Sequence, residues 1–228
     1  MAETASFNDQ TCYRLIPSKF PPIALFDDVA DGEDFEELFA VQAMTNPRLQ
    51  EQIGDLNLVP KGERIFGIAG SGYVMAAFTH VNPDGSRFSN GEYGIFYGAA
   101  DLKDAIEETR YHRATFMSYT KEPAQEIDMR CLVAKFSAEL KDVRAVPYLG
   151  TALYHPTDYS QGQSLGLQCK KDGLDGIAYS SVRGKGDCFA LFKPSLISNC
   201  VQASHFGYVW NCQTIVEVYK KELDFNSP

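Results

Sequence analysis

YGIFYGAADLKDAIEETRYHRATFM, residues 93–117, sets a short apolar strand directly against an amphipathic helix, with small residues at the join. Tyr93–Ala99 has the composition of a buried strand. From Leu102 onward the period changes to that of a helix, with Asp101 placed to cap it and Asp104 three residues on. Leu102, Ala105, Ile106, Phe116 and Met117 define its expected core face. The segments around it do not repeat this strand–helix alternation. RIFGIAG (64–70), YVMAAFTHV (73–81), MRCLVAKFSAEL (129–140), GIAYSSV (176–182), CFALFK (188–193) and QTIVEVYKKEL (213–223) all read as strands. Strands that do not alternate regularly with helices point to an α+β fold rather than a doubly wound sheet.

Turn chemistry separates these elements. NPDGSRFSNG (82–91) is dense in turn residues, and RGKGD (183–187) permits a tight reversal between two strands. Upstream, residues 13–31 are punctuated by proline and read as an extended arm or loop, and DFEELFAVQAMTN (34–46) reads as an amphipathic helix stopped before Pro47. A second short helix is expected over PRLQEQIGDL (47–56), and VPKGE (59–63) looks like the join to the main body. The expected organisation is an N-terminal arm and helical extension over 1–60, which either covers the sheet or docks a partner. A catalytic body over 61–228 forms one compact unit with it.

Charge and composition narrow the function classes. A net charge of −9 over 228 residues argues against direct contact with a nucleic-acid backbone, which needs clustered Lys and Arg. An anionic substrate would have to be held by a few well-placed arginines. Apolar runs such as VMAAF (74–78) are far too short to span a bilayer, and the polar N-terminus lacks the order of a secretory signal, so a cytoplasmic location is expected. The six cysteines are dispersed, without metal-ligand spacing, and read as reduced thiols, so no metal is expected.

Several residues carry candidate chemistry. Arg87 sits in a turn, where it is either a solvated loop residue or a substrate ligand. Tyr97 closes its strand where the backbone becomes small enough for close approach to a ligand; the alternative is a buried tyrosine with a satisfied hydroxyl. Periodicity does not choose between Glu107 and Glu108. However, Glu108 and His112 are four apart and share a face, as a working pair or as a surface pair. Ser181 ends a strand just before the glycine-rich turn, a place where serine is usually structural. No nucleophile elbow, phosphate loop, dinucleotide fingerprint or zinc-protease motif is present, and spacing does not favour a Cys188/His205 protease.

Taken in order, Arg64 in ERIFG, Arg87 in GSRFSNG, Tyr97 and Glu108 with His112 in YGIFYGAADLKDAIEETRYH, and Ser181 in GIAYSSVRGKGDCFALFKP resemble the RES domain. This domain is the toxin half of many bacterial Xre–RES toxin–antitoxin pairs, and the resemblance covers roughly residues 60–215. The family's pattern is an arginine on an early strand, a Gly-Arg-aromatic turn, a strand-closing tyrosine, a helix with Glu and a His four later, and a Ser-Val strand end. The chain departs from it with Arg-Phe-Ser where Arg-Trp-Asn is common, Ile65 in place of an aromatic, and Ser180 in place of proline.

The resemblance implies an ADP-ribosyltransferase-like fold, a mixed or antiparallel β core with flanking helices. It further implies an enzyme that destroys NAD⁺ as a substrate, without cofactor or metal. Glu108 would stabilise the positive charge growing on the ribose, with Arg64 and Arg87 on the pyrophosphate and Arg183 adding positive charge. Tyr97 would pack on the nicotinamide or ribose, Ser181 would bond a ribose hydroxyl or the carboxamide, and His112 would orient. Water, phosphate or a protein could accept the ADP-ribose, and a silent antitoxin-binding module is the alternative from another class. The implied partner is an Xre-type antitoxin that plugs the arginine cluster with a carboxylate, with a dimer within the toxin–antitoxin complex as a further expectation.

Overall fold

The computed structural model describes residues 3–19, 26, 27, 35, 37 and 53–222. Apart from Phe35 and Glu37, the helix expected over 34–46 lies outside the described residues, as does most of that expected over 47–56. Among the described residues the order is β1 (Thr4–Pro17), α1 (Ser71–Thr79), β2 (Phe96–Ala99), α2 (Leu102–Ser118), β3 (Gln125–Asp142), α3 (Ser160–Lys171), β4 (Gly176–Ser180), β5 (Asp187–Leu191), β6 (Ile197–Trp210) and β7 (Ile215–Lys221), with short 3₁₀ turns between. The fold is α+β.

The strands form one mixed sheet in the order β1-β2-β5-β4-β3-β6-β7, and β1 also pairs with β3. The pairings β1–β2–β5–β4–β3–β1 therefore run round a closed circuit, with β6 and β7 added outside β3. The β3–β4 pair is parallel and the others are antiparallel. Residues Thr4–Pro17, from the stretch read as N-terminal extension, thus lie in the central sheet. They run in register with β3 from Thr4↔Lys141 to Pro17↔Met129, interrupted by a bulge between Phe7 and Gln10 where Asp9 adopts φ 47°.

Around β5 both faces of the sheet are buried. On β5, Phe189 and Leu191 face one core, which α1 covers with Val74, Met75 and Phe78. Cys188 and Ala190 face the other, which α2 and α3 cover through Ala105, Met117 and Cys169. The alternation is what a two-residue strand period requires when each face meets its own layer.

Two stretches expected as strands are not strands. YVMAAFTHV contributes α1, and its buried positions Val74, Met75 and Phe78 fall at helical spacing. A short run that is apolar on every side does not reveal its period, and here the cap decides it. Gly70 takes the left-handed φ of 77° at the N-cap, while Asp27 accepts from Gly70 N, Ser71 Oγ and Gly72 N at 3.2, 2.6 and 3.0 Å. RIFGIAG leads into this cap without forming a strand, making only single backbone bonds such as Gly67 N to the Phe26 carbonyl; Gly67 and Gly70 both have positive φ, which breaks an extended run. On α2 the expected core face holds except at Phe116, which is 48% exposed with the Arg113 guanidinium 5.1 Å from its ring centroid.

Candidate active site around Glu108 and the β1–β2 cleft

The ladder between β1 and β2 consists of one pair, Tyr13↔Ala99. Beyond it Arg14–Pro17 and Tyr93–Tyr97 separate, and between them opens a cavity of about 680 Å³, closed by α1 (Gly72, Tyr73, Ala76, Ala77) and α2 (Thr109, His112, Arg113). A volume of this size suits a small-molecule or dinucleotide ligand.

Arg14 lies in the wall where the strands part. It donates Nη1 to the Tyr97 carbonyl at 3.0 Å and stacks 5.0 Å over the Phe96 ring. Among the described residues no carboxylate pairs with it, and its burial lowers its pKa from the usual arginine value. A cation with most of its donors still available, lining a cavity, is a ready anion site. The sequence reading missed it because it placed the early-strand arginine at Arg64. The structure puts Arg64 off any strand, after a 3₁₀ turn, donating to the carbonyls of Leu56 and Val59 at 3.0 and 3.1 Å. Arg64 does not line this cavity. The missed signal was Tyr13-Arg14-Leu15-Ile16, an arginine within an apolar, strand-like run.

Tyr97 also lines the cavity, held by its own hydroxyl. That oxygen lies 2.8 Å from Ser86 Oγ and accepts from Phe88 N at 3.0 Å. Burial pushes its pKa up to about 12, so it remains a neutral phenol. The 86–93 turn is further tied by Tyr93, whose hydroxyl donates to the Phe88 carbonyl at 2.6 Å.

The carboxylate of Glu108 is clamped from the other side. Ser181 Oγ donates to Oε1 at 2.6 Å and Val182 N donates to the same oxygen at 3.1 Å. The other oxygen, Oε2, lies 3.9 Å from His112 Nε2, and His112 is in the cavity wall. The Glu108 side chain is 19% exposed and that of His112 is 50% exposed. Desolvation lowers the His112 pKa; Glu108 opposes this, while Arg183, Arg87 and Arg113 add to it. The imidazole is therefore neutral at neutral pH, suited to orienting a group rather than delivering a proton. Contacts also separate the two neighbouring glutamates. Glu107 faces Arg110 at 4.0 Å, at the helix surface.

Ser181 Oγ is fully engaged. Besides donating to Glu108 it accepts from Arg183 N and Gly184 N at 3.1 and 2.7 Å. The Arg183 guanidinium stacks 3.4 Å from the Tyr111 ring centroid and donates to the Pro156 carbonyl. Arg87 is buried rather than solvated, at 8% exposure. It donates Nη1 to the carbonyls of Leu153 and His155, both at 3.2 Å, and its guanidinium lies 4.7 Å over the Tyr159 ring. Both arginines thus hold one strap, 153–159. Helix α3, which the sequence reading did not find, supports Arg87. Gly162 and Gly166 let it lie so close that an added Cβ would overlap the carbonyls of Arg87 and Phe88. Two glycines four apart on one helical face were the readable trace of that contact, but in SQGQSLGLQCKK they weaken the helix signal itself.

Of the residues singled out in the sequence, Tyr97 and His112 line the cavity, while Glu108, Ser181 and Arg183 form a connected cluster beside it. Tyr179 lies buried near both groups, and its burial, with Cys188 and Glu108 nearby, raises its pKa well above the usual value.

Among the described residues no cluster of His, Cys, Asp and Glu is arranged to hold a metal ion, and no helix is long and apolar enough to cross a membrane. Cys188 is buried, and desolvation raises its thiol well above the usual value, so it has no nucleophile's environment. Burial likewise pushes Cys12 and Cys200 up to about 12, and Cys131 and Cys169 up to about 11. Cys212 is exposed. Brief iodoacetamide treatment of the folded protein should therefore add a single label, on Cys212, with the other five reacting only after denaturation. Peptide mass spectrometry reads this directly, and rapid native labelling of Cys188 would contradict the burial described.

The RES domain family model matches residues 64–211. A protein of Sinorhizobium fredii, "Uncharacterized protein y4oC", is 30% identical over 210 residues, covering 91% of this chain and 86% of its own length. Among solved structures, the M. tuberculosis MbcT–MbcA toxin–antitoxin complex contains a chain with 12% identity and a TM-score of 0.41, covering 87% of this chain and 85% of the other.

Proposed function

Since the chain belongs to the RES domain family, we propose that it is an NAD⁺-degrading toxin that cleaves the nicotinamide–ribose bond. The observation that carries this reading is the Glu108 carboxylate. Ser181 Oγ and Val182 N hold one of its oxygens, and the other faces His112, which lines the same cavity as Arg14.

The chemistry suits this arrangement. Nicotinamide in NAD⁺ is a cationic leaving group; its ring nitrogen takes the electron pair of the C1′–N bond and departs neutral without a general acid. Positive charge then grows on the ribose, and a preorganised carboxylate stabilises it. Water adds to C1′ and loses its proton, giving ADP-ribose; phosphate adds to give ADP-ribose-1″-phosphate. Arg14 holds the pyrophosphate by charge-assisted bonds that need no reorganisation of its partners. Arg113, on α2, also lines the cavity and adds positive charge. His112 and Ser181 orient Glu108 and exclude other rotamers. Tyr97 offers its ring to the nicotinamide ribose and, through its hydroxyl, fixes the Arg87 turn.

The same pocket would serve a protein ADP-ribosyltransferase, which differs only in the acceptor. An antitoxin of the Xre type would neutralise the enzyme by placing a carboxylate against the cavity arginines, in competition with pyrophosphate. Incubating the purified protein with NAD⁺, with and without phosphate, and resolving the products by mass spectrometry tests the reading. Free nicotinamide with ADP-ribose, or with its 1″-phosphate, is expected. Intact NAD⁺ would overturn the reading, and nicotinamide release with ADP-ribose attached to protein would favour the transferase.

A further inference from the structure

The turn 183–186, rich in glycine and lacking the features of a phosphate loop, is held by an acid one helical turn before Glu108. Asp104 is 6% exposed, and its Oδ1 accepts from Lys185 N at 2.8 Å. Its own N–H donates to Oδ1 of the capping Asp101 at 2.9 Å, and the two carboxyl groups also interact, so Asp104 ties the turn to the helix cap. The fit there is close. A Cβ on Gly184 would overlap Asp104 Oδ1, and one on Gly186 would overlap Oδ2 and lie 3.1 Å from Asp101 Oδ2. Neither position accepts a side chain while the carboxylate stays in place.

The same turn carries the groups that grip Glu108. Ser181 N donates to the Gly186 carbonyl at 2.8 Å, closing the turn, and Gly184 N and Arg183 N converge on Ser181 Oγ. That oxygen in turn directs its proton at Glu108 Oε1. Asp104 and Glu108, four apart on one helix face, therefore bind two ends of one small loop. If the Asp104 end is released, the Ser181 hydroxyl loses the fixed pair of N–H donors that sets its direction.

Building on the NAD⁺ reading, we infer that Asp104 is a positioning residue whose carboxylate fixes the 183–186 turn, through which Ser181 and Val182 hold Glu108 in its working rotamer. It touches no substrate. Its influence falls on the alignment of Glu108, hence on turnover rather than on binding at Arg14.

The test compares Asp104→Ala, Asp104→Asn and Gly184→Ala with the wild type by steady-state nicotinamide release and by amide hydrogen exchange of the 181–186 segment. Asp104→Ala should lower kcat by about 10- to 100-fold, the scale of a misplaced catalytic group, with KM near the wild-type value. Asp104→Asn, which keeps the Oδ1 acceptor, should recover most of that loss. Gly184→Ala should reproduce the kcat loss with Asp104 intact, which covers the case of an alanine variant that does not fold. Exchange at the Val182, Gly184 and Lys185 amides should quicken in Asp104→Ala and Gly184→Ala. Wild-type kcat in Asp104→Ala, a change confined to KM, or unchanged exchange would overturn the inference. If the wild type leaves NAD⁺ intact, the proposed activity fails on its own, and the exchange measurement still decides whether Asp104 holds the turn.

Discussion

Glu108→Gln should slow nicotinamide release by about 10²- to 10³-fold or more, the cost of removing a preorganised electrostatic stabiliser, while NAD⁺ affinity and melting temperature stay close to wild type. Glutamine keeps the shape of the side chain, and its carbonyl oxygen can still accept from Ser181 Oγ and Val182 N, so the clamp survives. Only the charge is lost, and that charge acts mainly on the transition state. The effect therefore belongs in kcat and not in KM. Glu107→Gln is the matched control. Glu107 meets Arg110 at 4.0 Å on an exposed face, and surface pairs of this kind contribute little. Stopped or continuous assays on both variants check the contrast, and near-wild-type turnover in Glu108→Gln with loss in Glu107→Gln would reverse the assignment.

Arg14→Met should raise KM for NAD⁺ by about 10- to 100-fold, the range expected for losing hydrogen bonds to a charged group, with a much smaller change in kcat. A structural arginine would behave differently. Among the described residues Arg14 donates to the Tyr97 carbonyl and packs over Phe96 without a carboxylate partner. A half-buried cation without a counter-charge adds little to the stability of the empty protein. Methionine, of similar length and apolar, should leave the melting temperature unchanged or raise it. Arg87→Met should instead lower it, because Arg87 is buried and its donors hold the strap at Leu153 and His155. Loss of stability in Arg14→Met with unchanged KM would make Arg14 a packing residue.

The part of this molecule that was legible in the sequence is the part governed by local rules. Helix α2 and its Asp101 cap follow from a change of period and a side chain placed to accept from Asp104 N, a bond of 2.9 Å in the structure. Strands β2, β3, β4, β5 and β7 lie within or around stretches whose composition is strand-like. Where tertiary contacts decide, the sequence was silent or misleading. Helix α1 depends on Asp27, more than forty residues away, to accept its first donors, and α3 is a glycine-bearing helix justified by what it lies against. The long β6 escaped because bulges on its β3 side interrupt the alternation. The site divides in the same way. As candidates, Glu108, His112 and Ser181 follow from spacing and resemblance, whereas Arg14 becomes a candidate only once β1 and β2 are seen to part after a single pair.

The claim at the centre of this account is that NAD⁺ lies in the β1–β2 cleft with its nicotinamide ribose beside Glu108. A crystal structure of Glu108→Gln soaked with NAD⁺ tests it most directly. The expected result is a pyrophosphate within hydrogen-bond distance of Arg14, with C1′ of the nicotinamide ribose facing residue 108 next to His112. A dinucleotide bound outside this cleft, or one with its adenine at residue 108 and its nicotinamide against α1, would contradict it.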